Sequence, residues 1–167
     1  MLVLCGMAGV RAQTTAHSRE ELLAAAREIM QTARYCALIT TDARGRSTAR
    51  TMDAFEPEAK MVVWLATNRR SRKVSELRRN PRVTLYYFDR EDQAYVTIYG
   101  VGRLVNDPKE KASHWKTEWA AFYPDRNRDY LLIQVRPEKL EVVNTKKGIT
   151  GDSQAWQPPT VTFKHPR

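Results

Sequence analysis

The chain has 167 residues, enough for one domain with a sizeable core, and 28 Lys and Arg against 19 Asp and Glu leave a net charge of +9. With a pI near 9.8, the surplus points either to an anionic partner (a phosphorylated small molecule, nucleic acid or a membrane surface) or only to a basic soluble surface. No apolar run approaches the roughly 20 residues that cross a bilayer, two cysteines build no disulfide framework, and His17, His114 and His165 fall in no metal-ligand spacing.

Met1 to Val10 are apolar, and Val10-Arg11-Ala12 ends in a small residue before Gln13, like the tail of a secretory signal. A basic start is missing, and the stretch is shorter than the usual ~15–30 residues. It reads as an extension of a cytoplasmic protein or, alternatively, as the remnant of a signal for export, and residues 1–16 are set apart from the fold. Ser18 followed by Glu21 fits a capping box. Leu22, Leu23, Ala26, Ile29, Met30 and Ala33 then predict a helix with one apolar face. Tyr35 to Thr41 is β-rich, with Cys36 a small core residue. The turn Asp42-Ala43-Arg44-Gly45 leads into a second strand from Arg46 to Ala54. Phe55 to Lys60 turns the chain, and Met61 to Ala66 predicts a buried strand.

A helix from about Arg70 to Arg79 should bury Val74 and Leu77 and stop at Asn80-Pro81. Val83 to Phe88 and Ala94 to Val105 read as strands, the second bent or bulged at Gly100 and Gly102. Asp107-Pro108 predicts a helix running to about Phe122. On it Trp115, Trp119, Phe122 and Tyr123 would make one apolar stripe, and His114 and Glu118 a surface pair. Tyr130 to Val135 and Leu140 to Val143 are expected as two strands joined at Arg136-Pro137-Glu138. Thr145 onward reads as a tail anchored by Trp156 and Phe163. Tight turns favour antiparallel pairing. The pattern therefore predicts a mainly β fold, a barrel of six to seven antiparallel strands with peripheral helices. Its domain spans 17–144, with a tail over 145–167.

The densest signal is Thr67-Asn68-Arg69-Arg70-Ser71-Arg72-Lys73. A helix N-terminus carries about half a positive charge and unpaired N–H groups. Four cations there call for an anion, and phosphate suits them. Alternation puts Arg50 and Met52 on one strand face; if the strands are neighbours, Arg50 meets the same anion as Arg72 and Lys73. Thr67 and Ser71 add hydroxyls, and Asn68 either caps the helix or holds the turn. The competing reading is a solvated basic helix face. No Ser-His-Asp order, paired carboxylates or glycine-rich phosphate loop is present, so hydrolase and kinase chemistry have no support.

Thr67 to Lys73 together with Asn80-Pro81-Arg82-Val83 resembles the phosphate-binding signature of the pyridoxamine 5'-phosphate oxidase-like, FMN-binding split barrels. Arg50-Thr51-Met52 resembles that family's arginine strand, and Tyr95 to Leu104 the strand that follows. The likeness covers residues 18–143. It implies a homodimer with FMN at the subunit interface. Arg50, Arg72 and Lys73 would hold the phosphate, with Asn68 and Ser71 beside them, and the backbone around Thr51-Met52 and Ala66-Thr67 would face the ring and ribityl chain. Tyr95 stands where the oxidases often have glutamine. Phe55 replaces the oxidases' substrate lysine, and Gln154 to Arg167 lacks their Arg-x-His element. Vitamin B6 oxidation is therefore not implied, and the short form is more similar to the general stress protein branch. The expectation is an FMN-dependent oxidoreductase with small-molecule electron donor and acceptor and no nameable catalytic side chain. Alternatives are a non-catalytic flavin-binding stress or sensor protein, a variant holding F420 or haem, and a basic nucleic-acid-binding barrel. The last is disfavoured because the cations concentrate at a helix start.

Overall fold

The computed structural model describes residues 17–164; the expectations for residues 1–16 lie outside them. In chain order these residues form α1 (Arg19–Ala33), β1 (Tyr35–Thr41), β2 (Ser47–Asp53), β3 (Val63–Asn68), α2 (Arg72–Arg79), β4 (Arg82–Asp89), β5 (Ala94–Val105), α3 (Pro108–Ser113), a 3₁₀ segment (Thr117–Phe122), α4 (Arg126–Asp129), β6 (Tyr130–Val143) and β7 (Thr160–Thr162). The capping box forms: Glu21 N donates to Ser18 Oγ at 3.2 Å and Ser18 N to the Glu21 carboxylate at 2.7 Å. The β1–β2 hairpin turns at Gly45 (φ 78°), where Asp42 accepts from the backbone N–H of Arg44 and Arg46.

The strands pair antiparallel in the order β2-β1-β4-β5-β6-β3, with β7 added to β6. The sheet curls until its two ends meet, and a single bridge, Ala54 to Leu65, joins β2 to β3. This is a barrel open along one seam. Leu38, Val63, Leu65, Leu85, Val96, Ile98, Ile133 and Leu140 are fully buried inside it. Leu22, Ala26, Ile29 and Met30 of α1 pack onto the same core. At about 1.5–3 kcal/mol per large apolar side chain, this burial is the main force holding the curl.

Three expectations fail for tertiary reasons. The helix predicted from Asp107 to Phe122 ends at Ser113, because His114 (φ −106°, ψ 58°) leaves helical geometry. Its ring lies 4.3 Å from that of Trp64 and its carbonyl accepts from the buried Tyr130 hydroxyl. The two strands expected around Pro137 are one, β6. Its first half pairs with β3 up to Val135 and its second with β7 from Lys139, so Pro137 sits where neither ladder needs its N–H. The register slips there, opposite Tyr99 and Gly100, and a Cβ on Gly100 would lie 2.2 Å from the Arg136 carbonyl oxygen. The tail contributes β7, and Phe163 packs on the core as expected, whereas Trp156 is 77% exposed and anchors nothing in the described chain.

Candidate functional site

β2 and β3 meet at one bridge only, so a cleft of about 420 Å³ opens along the seam. Thr51, Met52 and Asp53 line it from β2, Ala66, Thr67 and Asn68 from β3, and Lys73 from α2; Trp119, Phe122 and Tyr123 wall it from the 3₁₀ segment and its end. Asp53 moors that wall: its carboxylate accepts from Lys116 Nζ at 2.7 Å and from Trp119 Nε1 at 3.1 Å. Trp64, Ala66, Trp119, Tyr130 and Leu132 form a second small core behind it. The predicted apolar stripe is only partly realised, with Trp119 buried and Phe122 72% exposed. Burial pushes the Tyr123 hydroxyl up to about 12, so it stays a neutral donor.

At one end of the cleft lies the start of α2. The N-cap Ser71 makes no side-chain cap. Its hydroxyl instead meets Thr67 Oγ1 at 2.8 Å, and Lys73 Nζ donates to the same Thr67 oxygen at 3.3 Å. Asn68 holds the turn, accepting from Arg70 N at 2.9 Å. Burial and the neighbouring Arg50 hold the Lys73 ammonium below its ordinary pKa. Two hydroxyls, an ammonium and an uncapped helix start thus converge at the end of the seam, a donor set suited to a phosphate.

Sequence reasoning missed the buried carboxylate of Glu76. It accepts from Thr40, from Thr48 at 3.2 Å and from Arg50 Nη2 at 2.9 Å, and Arg72 Nε lies 3.1 Å from its other oxygen. Burial opposes its charge, but the Thr40 and Thr48 hydroxyls and Arg50 outweigh that and hold its pKa low. Arg50 is on the inner face beside Met52 as predicted, and reaches the α2 cluster through Glu76; it also donates to Leu38 O, Thr40 and Thr48. The Arg72–Glu76 spacing of four was the readable signal. Arg69 turns away to Asn106 and the Arg128 carbonyl. Tyr95 is not in this cleft but on the outer sheet face, its ring 5.8 Å from that of Tyr86. His114 pairs with Glu58 and Glu110 rather than Glu118, which sits 3.9 Å from Arg34. Among the described residues no group of His, Cys, Asp or Glu could hold a metal, and no helix is long and apolar enough to cross a membrane.

An antiparallel barrel left open along one seam, with a donor-rich helix start at the end of the seam cleft, defines a split barrel. The chain belongs to the pyridoxamine 5'-phosphate oxidase-like family, whose model matches residues 21–155. Comparison with curated proteins gives no match. Among solved structures it is similar to a Clostridium acetobutylicum protein related to general stress protein 26 of B. subtilis (21% identity, 88% of this chain and 96% of that one, TM-score 0.69). It is also similar to a pyridoxamine 5'-phosphate oxidase-related, FMN-binding protein of Nostoc punctiforme (14%, 86% and 95%, TM-score 0.59). A third is a haem-binding protein of Mycobacterium smegmatis (18%, 76% and 55%, TM-score 0.61). At these identities the likeness is one of fold.

Proposed function

We propose that the protein is an FMN-binding flavoprotein of the oxidoreductase kind, acting as a homodimer on small-molecule electron donors and acceptors. The observation that carries this reading is the seam cleft ending at Thr67, Ser71 and Lys73. Its volume of about 420 Å³ falls in the range of ligand pockets, roughly 300–1,000 Å³, and its donor set fits a terminal phosphate. Lys73, the Ser71 and Thr67 hydroxyls and the exposed arms of Arg72 would hold that phosphate, and Arg50 would keep Glu76 and Arg72 in place. Met52 and Ala66, with the backbone of Thr51 and Asn68, would flank the ring system, and Trp119 and Tyr123 would shield it from water. A bound flavin supplies the hydride and electron chemistry; the chain binds, orients and tunes it. Asp53 is tied to Lys116 and Trp119, so no side chain in the cleft is assigned as acid or base.

The dimer rests on the outer sheet face. Tyr35, Tyr86, Phe88 and Tyr99 are 36–49% exposed there. Such a patch suits a second copy, and Tyr95, on the same face, would then contribute to the partner's cleft. The purified protein is expected to be yellow, with FMN identified by mass spectrometry. A colourless protein that cannot be reconstituted with FMN refutes the reading, and haem or F420 in the spectrum replaces the chromophore. Under anaerobic conditions NADH or NADPH should bleach the flavin; an unbleached flavin makes the protein a passive binder. Arg72→Ala/Lys73→Ala should weaken FMN at least about tenfold and leave riboflavin binding unchanged.

A further inference from the structure

A second group of cations lies on the far side of Arg69 from the seam cleft. Lys111 is only 9% exposed, and lysines so buried normally have a carboxylate partner. Here Nζ donates to Asn106 Oδ1 at 3.4 Å and the Asn127 carbonyl at 3.3 Å and lies 5.8 Å from the Tyr130 ring centroid, and it meets no carboxylate among the described residues. Arg69 donates to the same Asn106 oxygen at 2.6 Å, so two cations share one neutral acceptor. Arg126 completes the group, its guanidinium 4.2 Å from the Trp115 ring centroid and donating to the Lys111 carbonyl. None of the three forms an ion pair among the described residues. The nearby acids are engaged: Asp125 and Asp129 with Arg128, and Asp107 as the cap of α3. Burial, then Arg69 and Arg126, lower the Lys111 pKa, with Asp125 opposing. Lys111, Arg126, Asn106 and Asn127 line a cavity of about 430 Å³.

We propose that this cavity is a second anion site, built for the phosphate group of a small molecule. Two cations at the opening, Lys111 and Arg126, with Arg69 behind them on Asn106, suit a dianion better than a single carboxylate. Two amide side chains would complete its hydrogen bonding. The site stands independently of the flavin reading.

The test titrates inorganic phosphate into the full chain carrying Arg72→Ala/Lys73→Ala, which silences the start of α2. One equivalent should still bind and raise the melting temperature. Adding Lys111→Met should weaken that binding more than tenfold and, in phosphate-free buffer, raise the melting temperature, because an unpaired buried charge has been removed. Arg69→Gln should weaken phosphate severalfold without lowering the melting temperature. Unchanged phosphate binding in the Lys111→Met chain, or a lower melting temperature without phosphate, overturns the proposal. Ribose 5-phosphate in place of inorganic phosphate separates an ester ligand from the free ion by which binds tighter. A parent chain that holds no flavin, while the double variant still binds phosphate here, refutes the flavin reading alone; a flavin-loaded parent chain whose double variant is blind to phosphate refutes this one alone.

Discussion

The carboxylate of Glu76 gathers Thr40, Thr48, Arg50 and Arg72 at one buried point, joining β1, β2 and α2. Removing one partner of such a pair strands the other charge. Glu76→Ala should therefore cost about 3 kcal/mol, a drop of roughly 6–12 °C in melting temperature. Replacing both charges, Arg50→Met with Glu76→Leu, should recover most of that loss, and denaturant midpoints of the three chains decide it. The pH dependence has a definite sign. The pKa of Glu76 is lowered in the fold, so its contribution is complete above the unfolded carboxylate value of about 4.3. It is lost as pH falls through the lower folded value. Urea midpoints taken from pH 6 down to pH 3 should fall less steeply for Glu76→Gln than for the parent chain. The cluster also shows where sequence reading stopped. Cations at a helix start announced an anion, and Arg72 with Glu76 four residues on was there to be read. That Arg50 would meet the same carboxylate depended on which strands became neighbours. Part of the anion the cations called for was already in the chain.

The strands teach a similar lesson at the next scale. Period-two burial made β1, β4 and β5 legible almost to their ends, and the paired glycines of β5 announced an irregularity that the register slip at Gly100 confirms. Pro137 misled because a proline reads as a strand end, and only the fold shows that it falls between two ladders. The helix predicted past Ser113 misled because Trp64 and Tyr130, distant in sequence, claim His114. The two glycines should differ in tolerance. A methyl at Gly100 meets rigid backbone at 2.2 Å, whereas at Gly102 it meets the tip of Leu77 at 2.9 Å. Gly100→Ala should cost about 4 kcal/mol or more, and Gly102→Ala roughly 1–2 kcal/mol, measured by chemical unfolding.

For the molecule as a whole, the outer aromatic face and the seam cleft belong to one argument. Tyr86→Glu with Phe88→Lys should yield a monomer in sedimentation equilibrium with an unchanged circular dichroism spectrum. Its FMN affinity should fall more than about tenfold if the partner completes the cleft. A dimer that survives both changes refutes that face as the interface. The net charge of +9 was visible from composition; that Arg69 would leave the start of α2 for the Lys111 group was not, because its partners Asn106 and Arg128 lie 37 and 59 residues further along the chain. The seam carries a last consequence. Where other neighbouring strands share ladders of three to eleven paired residues, β2 and β3 hold each other through the Ala54–Leu65 bridge and the bond from Phe55 N to Trp64 O at 3.0 Å. At about 1 kcal/mol net per bond, that clasp is the cheapest contact in the barrel to undo. Strain on the barrel would be released there first, with every ladder left intact.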